Sequence, residues 1–364
     1  MKSSRKLLIR CDASVRIGTG HAMRCVALAQ AWQDAGGDAV FVMAQSTEAV
    51  ARRIVGEKME FVHVQQTPGS PGDSDRIITL ARQQAAQWVV VDGYVFGADY
   101  QACLHRAGLK LLVVDDDGRA ERYVVEIVLN QNPQARQRPY PDRGPSTRLL
   151  LGPEYVLLRR EFAAWRGRKR EIHALARRVL VTLGGSDPDN VTLRVIEGLM
   201  AAPEFEAQIV VGGSNPHLDQ LRDAMGGSRQ GLRLVHNAGD MAELMAWADV
   251  AISAAGTAAW EMAFMGLPAL LIVLADNQES IASALVDAGA ALSMGPAGSP
   301  SGEDIRNRLR GLASSPEALE KMSARGRVLI DGRGAERAVA AMLGRDLGVT
   351  PVQPAVPADV SRPT

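Results

Sequence analysis

Short apolar runs, mostly β-branched, alternate with stretches of helical period along nearly the whole chain. Residues 7–11, 39–43, 61–64, 88–92 and 111–115 are almost entirely apolar and read as strands. Between them, residues 22–35, 48–55, 75–84 and 98–107 carry apolar positions at helical spacing. A strand with no polar face is one that helices cover on both sides, so this half predicts a doubly wound α/β domain. The pattern breaks at residues 132–145, which hold four prolines, and at 159–178, where eight basic residues surround two glutamates. It then resumes, with strands expected at 179–183, 208–211, 232–235, 250–253 and 269–273. Helices are expected at 190–200, 217–225, 241–247, 258–265, 278–288, 303–313, 316–330 and 335–343. The division that follows is a first Rossmann-like domain at 1–158, a basic linker or connecting helix at 159–178, and a second Rossmann-like domain at 179–345. Residues 346–364 form a tail, proline-rich and without apolar period, that predicts disorder.

Composition changes this picture little but removes several functions. At 364 residues with 46% hydrophobic and 23% charged side chains, the chain can build two ordinary cores. Forty-one basic and 41 acidic residues cancel, which argues against binding nucleic acid or membranes through bulk charge. The basic linker has no aromatic platform beside it and reads as a solvated connection. Three cysteines (Cys11, Cys25, Cys103) are too few for a disulfide framework and lack zinc spacing. The most apolar stretch, 250–275, is broken by Glu261, Gly266 and Pro268, so strand, turn and helix explain it better than a membrane span. A soluble, cytoplasmic protein is expected.

Both halves open with a strand, a glycine loop and a helix. In the first, Gly18-Thr19-Gly20-His21-Ala22-Met23 begins like a dinucleotide fingerprint. Met23 then occupies the third glycine position, and no acid ends the second strand, so no nicotinamide cofactor is expected. No Walker lysine follows any glycine cluster either. What remains is a loop that delivers His21 to the first turn of a helix. The partial positive charge there favours a neutral imidazole, the form able to act as a general base. Capping or packing of its own helix is the competing role for His21. Asp12, in the same loop, is the substitute base.

The second half offers Gly184-Gly185-Ser186-Asp187 and, after a buried strand, Ser253-Ala254-Ala255-Gly256-Thr257 with Glu261 one helical turn on. Backbone N–H groups at Gly256 and the Thr257 hydroxyl suit a diphosphate. Glu261 suits the paired hydroxyls of a ribose, because an unpartnered carboxylate in apolar surroundings is costly. Asn277, at the end of another strand, suits a ligand or an N-cap equally. Asp115-Asp116-Asp117 has the spacing of a metal-binding Asp-x-Asp, but a solvated turn is the expected reading and no metal is assigned.

Taken together, Arg10-Cys11-Asp12-Ala13-Ser14, Ile17 through Cys25, Asp92-x-Tyr94, Gly184-Gly185-Ser186-Asp187, Gly256-Thr257 with Trp260-Glu261, and Leu274-Ala275-Asp276-Asn277-Gln278 resemble a known family. The order and residues are similar to the UDP-2,4-diacetamido-2,4,6-trideoxy-β-L-altropyranose hydrolases of pseudaminic acid biosynthesis, over residues 7–343. The resemblance implies a GT-B-like architecture of two facing Rossmann-like domains, with water as acceptor and neither metal nor cofactor. It implies His21 as catalytic base. Gly18, Gly20, Tyr94, Gly185, Ser186 and Asn277 would line the sugar and diphosphate region, and Gly256, Thr257 and Glu261 would hold UDP. It also implies a functional link to a downstream phosphoenolpyruvate-using nonulosonate synthase. Ala255 departs from the pattern, where the family often has another glycine. A GT-B glycosyltransferase and a non-catalytic nucleotide-sugar-binding protein are the rival readings.

Overall fold

The structure is a computed structural model that describes residues 5–348 apart from 117, 119, 138, 139, 141 and 227–230. The expected Pro-rich tail, from 349 on, lies outside the described residues, as does Asp117.

The first unit is a seven-stranded sheet of β1 (Arg5–Cys11), β2 (Gly37–Met43), β3 (Glu60–His63), β4 (Ala86–Asp92), β5 (Leu111–Val114), β6 (Ile127–Asn130) and β7 (Arg148–Leu151). Its helices are α1 (Gly20–Asp34), α2 (Glu48–Gly56), α3 (Pro71–Gln83) and α4 (Ala98–Arg106). The order is β3-β2-β1-β4-β5-β6-β7, and every pair is parallel. Alternate residues of one strand face opposite layers. Leu7, Ile9 and Cys11 join the core under α1, whereas Leu8 joins the core under α3 and α4. That two-sided burial is why the strands read as unbroken apolar runs. β6 and β7 lie outside the expected strands: no α-helix separates them from β5 or from each other, so the strand-helix alternation that marks the other strands is missing.

The second unit repeats the plan with β8 (Arg178–Thr182), α5 (Val191–Met200), β9 (Glu206–Val211), α6 (Leu218–Met225), β10 (Leu232–His236), α7 (Met241–Trp247) and β11 (Val250–Ala254). It continues through α8 (Thr257–Met265), β12 (Ala269–Val273), α9 (Glu279–Asp287), β13 (Ala291–Pro296), α10 (Gly302–Ala313), α11 (Pro316–Leu329) and α12 (Gly334–Met342). The parallel order is β10-β9-β8-β11-β12-β13. β13 carries no readable period because Gly295 and Pro296 punctuate it, which an edge strand tolerates.

Two features depart from the sequence grouping. α12 follows the second unit in the chain but packs on the first, with Ala335, Ala338, Val339, Ala341 and Met342 in one core with Val26, Leu28 and Trp32 of α1. Sandwiched between sheet and α12, α1 is buried almost all round, and so shows no single apolar stripe. Most of the basic linker is exposed, as expected, but Arg170 is an exception. Arg170 donates to the carbonyls of Met245 (2.6 Å) and Met265 (3.3 Å), capping the ends of α7 and α8, and burial lowers its pKa to about 10.

Candidate active site

In open parallel sheets, ligands bind outside the carboxyl ends of the strands, where the strand order reverses. Here the reversals lie between β1 and β4 and between β8 and β11. The loops that follow these four strands carry the Gly18–His21 motif, Asp92 to Tyr94, Gly184 to Asp187, and Gly256-Thr257. They converge on one cleft between the two units, a cavity of about 1020 Å³. His21, Gly18, Gly20, Tyr94, Gly185, Ser186, Gly256, Thr257, Glu261 and Asn277 all line it.

The loops touch across the cleft. A Cβ on Gly185 would overlap the Thr19 side chain, and one on Gly20 would lie 3.1 Å from Thr257 Oγ1. Gly18 closes the first loop with a φ of +82°, donating its N–H to Ser14 O at 2.8 Å, a conformation that favours glycine. Ser214 donates to Thr47 Oγ1 at 2.8 Å, a third link between the units. Asp187 is a cap, accepting from the N–H of Val191 (2.9 Å) and Thr192 (2.8 Å) at the start of α5.

His21 is 7% exposed, and its Nδ1 lies 2.6 Å from Asp92 Oδ1. Asp92 ends β4, so the strand fixes its place and α1 brings the ring to it. An Nδ1–H donated to the carboxylate leaves the lone pair on Nε2. Arg24, one turn along α1, donates Nε–H to Asp92 Oδ2 (2.7 Å) and reaches Asp116 Oδ1 at 2.6 Å. Burial by itself would raise both carboxyls. Arg24 first, with His21 adding to it, outweighs that and holds Asp92 and Asp116 below the usual carboxylate range. Cys25 adds an S–H donor to Asp92 Oδ2 at 3.4 Å.

Tyr94 extends the network across the cleft. Its ring meets His21 edge-on at 5.2 Å, its hydroxyl donates to Asp116 Oδ2 (3.1 Å), and Asn277 Nδ2 of the second unit donates to it at 3.1 Å. Burial, followed by the Asp116 charge, raises its phenol well above the ordinary value, so it remains a donor. Asn277 is not an N-cap, since Gln278 holds that position before α9: it sits in a short 3₁₀ turn, Asp276–Gln278, and spans the two units.

Three expectations need correcting. Glu261 is buried but not unpartnered, because Arg159 donates to both its oxygens at 3.0 Å, which removes the cost argued from the sequence. Arg159 also reaches Glu161 at 3.0 Å; burial opposes its charge, but Glu261 and Glu161 outweigh burial and raise its pKa. Asp12 is no substitute base. Its Oδ1 accepts from Ala44 N (2.7 Å) and Gln45 N (2.9 Å), stitching β1 to the end of β2, and it does not line the cleft. Nor is 115–116 a solvated turn, for Asp116 sits in the His21 network and Asp115 accepts from Tyr123 at 2.9 Å. Among the described residues no group of three or more His, Cys, Asp or Glu side chains could hold a metal, and no helix is long and apolar enough to cross a membrane.

Sequence reasoning missed Arg24 and Asp116 as site residues. Arg24 lies three residues after His21, on the same face of α1, and that spacing was the available signal. The signal for Asp116 was the acidic run at the end of a strand, which reads as a solvated turn without its partner Arg24.

Residues 179–336 match the glycosyltransferase family 28 C-terminal domain. The chain is 29% identical to the spore coat polysaccharide biosynthesis protein SpsG of Bacillus subtilis, over 63% of this chain and 68% of that one. It is 25% identical to a Methanocaldococcus jannaschii protein, over 75% of this chain but only 56% of that longer one. It is 23% identical to the UDP-2,4-diacetamido-2,4,6-trideoxy-beta-L-altropyranose hydrolase of Campylobacter jejuni, over 78% of this chain and 97% of that one. Among solved structures, MurG of Acinetobacter baumannii superposes with a TM-score of 0.64 at 16% identity, covering 94% of this chain and 99% of MurG. The fold is GT-B: two facing parallel α/β domains.

Proposed function

We propose that this protein hydrolyses a UDP-linked sugar at C1 with inversion, and that the sugar is a 2,4-diacetamido-2,4,6-trideoxy-hexose. The observation that carries the reading is the His21–Asp92 pair, 2.6 Å apart, on the wall of a cleft whose opposite wall is a helix N-terminus. The hydrolase of Campylobacter jejuni, alignable over nearly its whole length, supports the substrate class. In this mechanism the N–H groups at the start of α8, with Thr257, hold the diphosphate and stabilise its developing charge. Gly185 and Ser186 border the same space, and Glu261, held by Arg159, uses its remaining lone pairs for the ribose hydroxyls. Asp92 fixes the imidazole tautomer, and His21 Nε2 takes a proton from water as that water attacks C1. Tyr94 and Asn277 close over the sugar from opposite sides. The C1–O bond to the diphosphate breaks, giving free sugar and UDP. A reaction that consumes such a free amino sugar, for example a phosphoenolpyruvate-using synthase, would follow it.

A glycosyltransferase is the second reading, supported by the family 28 match and by a lip of exposed apolar residues at the cleft mouth. Val15 and Ile17 are each 40% exposed, on the hairpin before α1. One experiment separates the two: incubation with a panel of UDP-sugars without acceptor, following UDP release. Release at turnover rates supports hydrolysis. Release only after an alcohol or lipid acceptor is added makes the protein a transferase.

A further inference from the structure

His21 borders a second space besides the cleft. A side cavity of about 220 Å³ lies within the first unit, and His21, Arg24, Tyr94 and Asp116 form the wall common to both. Its other walls include Asp92, Gln101, Asp115, Phe96 and Val113. Three carboxylates against one guanidinium exclude an anion, so the diphosphate has no place there. Gln101 adds a sharper requirement. It is 1% exposed and donates Nε2–H to Phe96 O at 3.2 Å, while its Oε1 is buried with no hydrogen-bond partner. A buried amide oxygen needs a donor, and a polar cavity of this size has room for several waters at about 30 Å³ each.

We propose that this cavity is a water chamber that supplies the nucleophile to His21 while the sugar nucleotide fills the cleft. The inference rests on the hydrolysis reading and answers a problem that reading creates. Closing the cleft on the substrate expels bulk water, yet the reaction consumes one water per turnover. A chamber behind the base supplies it from the protein side. Its water hydrogen-bonds to the imidazole and attacks C1; the new bond is C1–O of water, and the electron pair of the broken C1–O bond leaves with UDP. The water's proton passes to His21 and from there to solvent. Gln101 Oε1 and Asp116 hold the waiting waters, and Gln101 is a positioning residue.

The test fills the chamber from its apolar side. Val113 is buried on β5 and faces the same core as Phe96, so Val113→Leu and Val113→Phe push successively larger groups into the cavity. Gln101→Leu removes the buried acceptor. UDP release without acceptor is measured in water and in water–methanol, together with UDP affinity by calorimetry and folding by circular dichroism. We expect kcat to fall about tenfold or more with the larger filling, with KM and UDP affinity unchanged. The ratio of methyl glycoside to free sugar should fall too, because a narrowed chamber admits water before methanol. If Val113→Phe does not fold, Val113→Leu and Gln101→Leu carry the same comparison. Unchanged kcat and product ratio in folded variants would overturn the chamber. So would a raised KM at constant kcat, which would make the cavity a pocket for a sugar substituent. Wild-type protein that releases no UDP without acceptor overturns the hydrolysis reading and the chamber together; release indifferent to the fillings overturns the chamber alone.

Discussion

Arg24 occupies the centre of the side-chain network, for it binds two carboxylates that burial would otherwise neutralise, and one of them holds His21. His21→Asn should lower kcat by ~10²–10⁴-fold, the usual worth of a positioned base, and leave UDP affinity unchanged in calorimetry. Normal turnover in that variant would leave His21 as a structural partner of Asp92. The network also sets the acid sensitivity of the fold. Asp92 and Asp116 have depressed folded-state values, so their stabilisation is complete above the ordinary carboxylate range of about 4 and is lost as pH falls below it. Urea midpoints of wild type and Asp92→Asn should therefore differ most at neutral pH and converge below about pH 4. A gap that stays constant down to pH 2 would show that the carboxylate charge is not what stabilises. Arg159 and Glu261 test another side of burial. Removing Glu261 alone leaves the buried Arg159 guanidinium with Glu161 as its remaining partner and should cost less than the about 3–5 kcal/mol of a fully stranded charge, and Arg159→Met with Glu261→Leu should cost less than either single change. Thermal melts of the three variants decide this, and any loss of UDP affinity in Glu261→Ala should be judged against its melting temperature.

Among the elements, the glycine loops matter because they let two units approach. Gly185 lies where a side chain would strike Thr19 of the other unit, not where its own backbone needs glycine's freedom. Gly185→Ala should therefore fold normally in both units and yet hold the cleft open, lowering kcat/KM. Thr19→Ala in that background should restore part of the activity by removing the outer atoms of the obstruction. Activity assays beside small-angle scattering check both outcomes. A Gly185→Ala protein with wild-type activity would mean that the loops do not have to meet. The same scale shows why the element pattern was readable: strands buried on two faces and helices with caps such as Asp240 before α7 and Ser301 before α10 advertise themselves locally. β6 and β7 do not, since no α-helix separates β5, β6 and β7 to complete the alternation, and β13 is punctuated by Gly295 and Pro296.

For the whole molecule, the chain crosses back at its end, and α12 completes the core of the unit it does not follow in sequence. Gly334 starts α12 with its Cα so close to Val156 that a side chain there would collide with backbone. Truncation before 334 should accordingly loosen the first unit more than the second. Hydrogen exchange should show lost protection in α1 and β1, with β8 and β11 unaffected; equal loss in both units would mean that α12 merely tethers them. The two chain crossings are apolar, with Val156 and Leu158 in the core of the second unit and α12 in that of the first, but across the cleft the loops meet through polar contacts, among them Asn277–Tyr94 and Ser214–Thr47. Interfaces of that kind permit relative motion, as substrate entry to the cleft requires.

Apolar periodicity and turn residues are local properties, and so the two α/β units, the glycine loops and His21 at the head of a helix are legible in the chain alone. It also placed Tyr94, Gly185, Gly256, Thr257 and Asn277 just beyond strand ends, where the cleft lies, and Glu261 one helical turn after Thr257. Which groups meet depends on the folded arrangement. Asp92 is 71 residues from His21 and Asp116 is 92 from Arg24, and no spacing rule joins residues so far apart until β4 and β5 are laid beside β1. The partner of Glu261, 102 residues earlier in the chain, was hidden for the same reason. Burial of a charge can be read from its neighbours in sequence, but its compensation depends on a contact that folding alone creates.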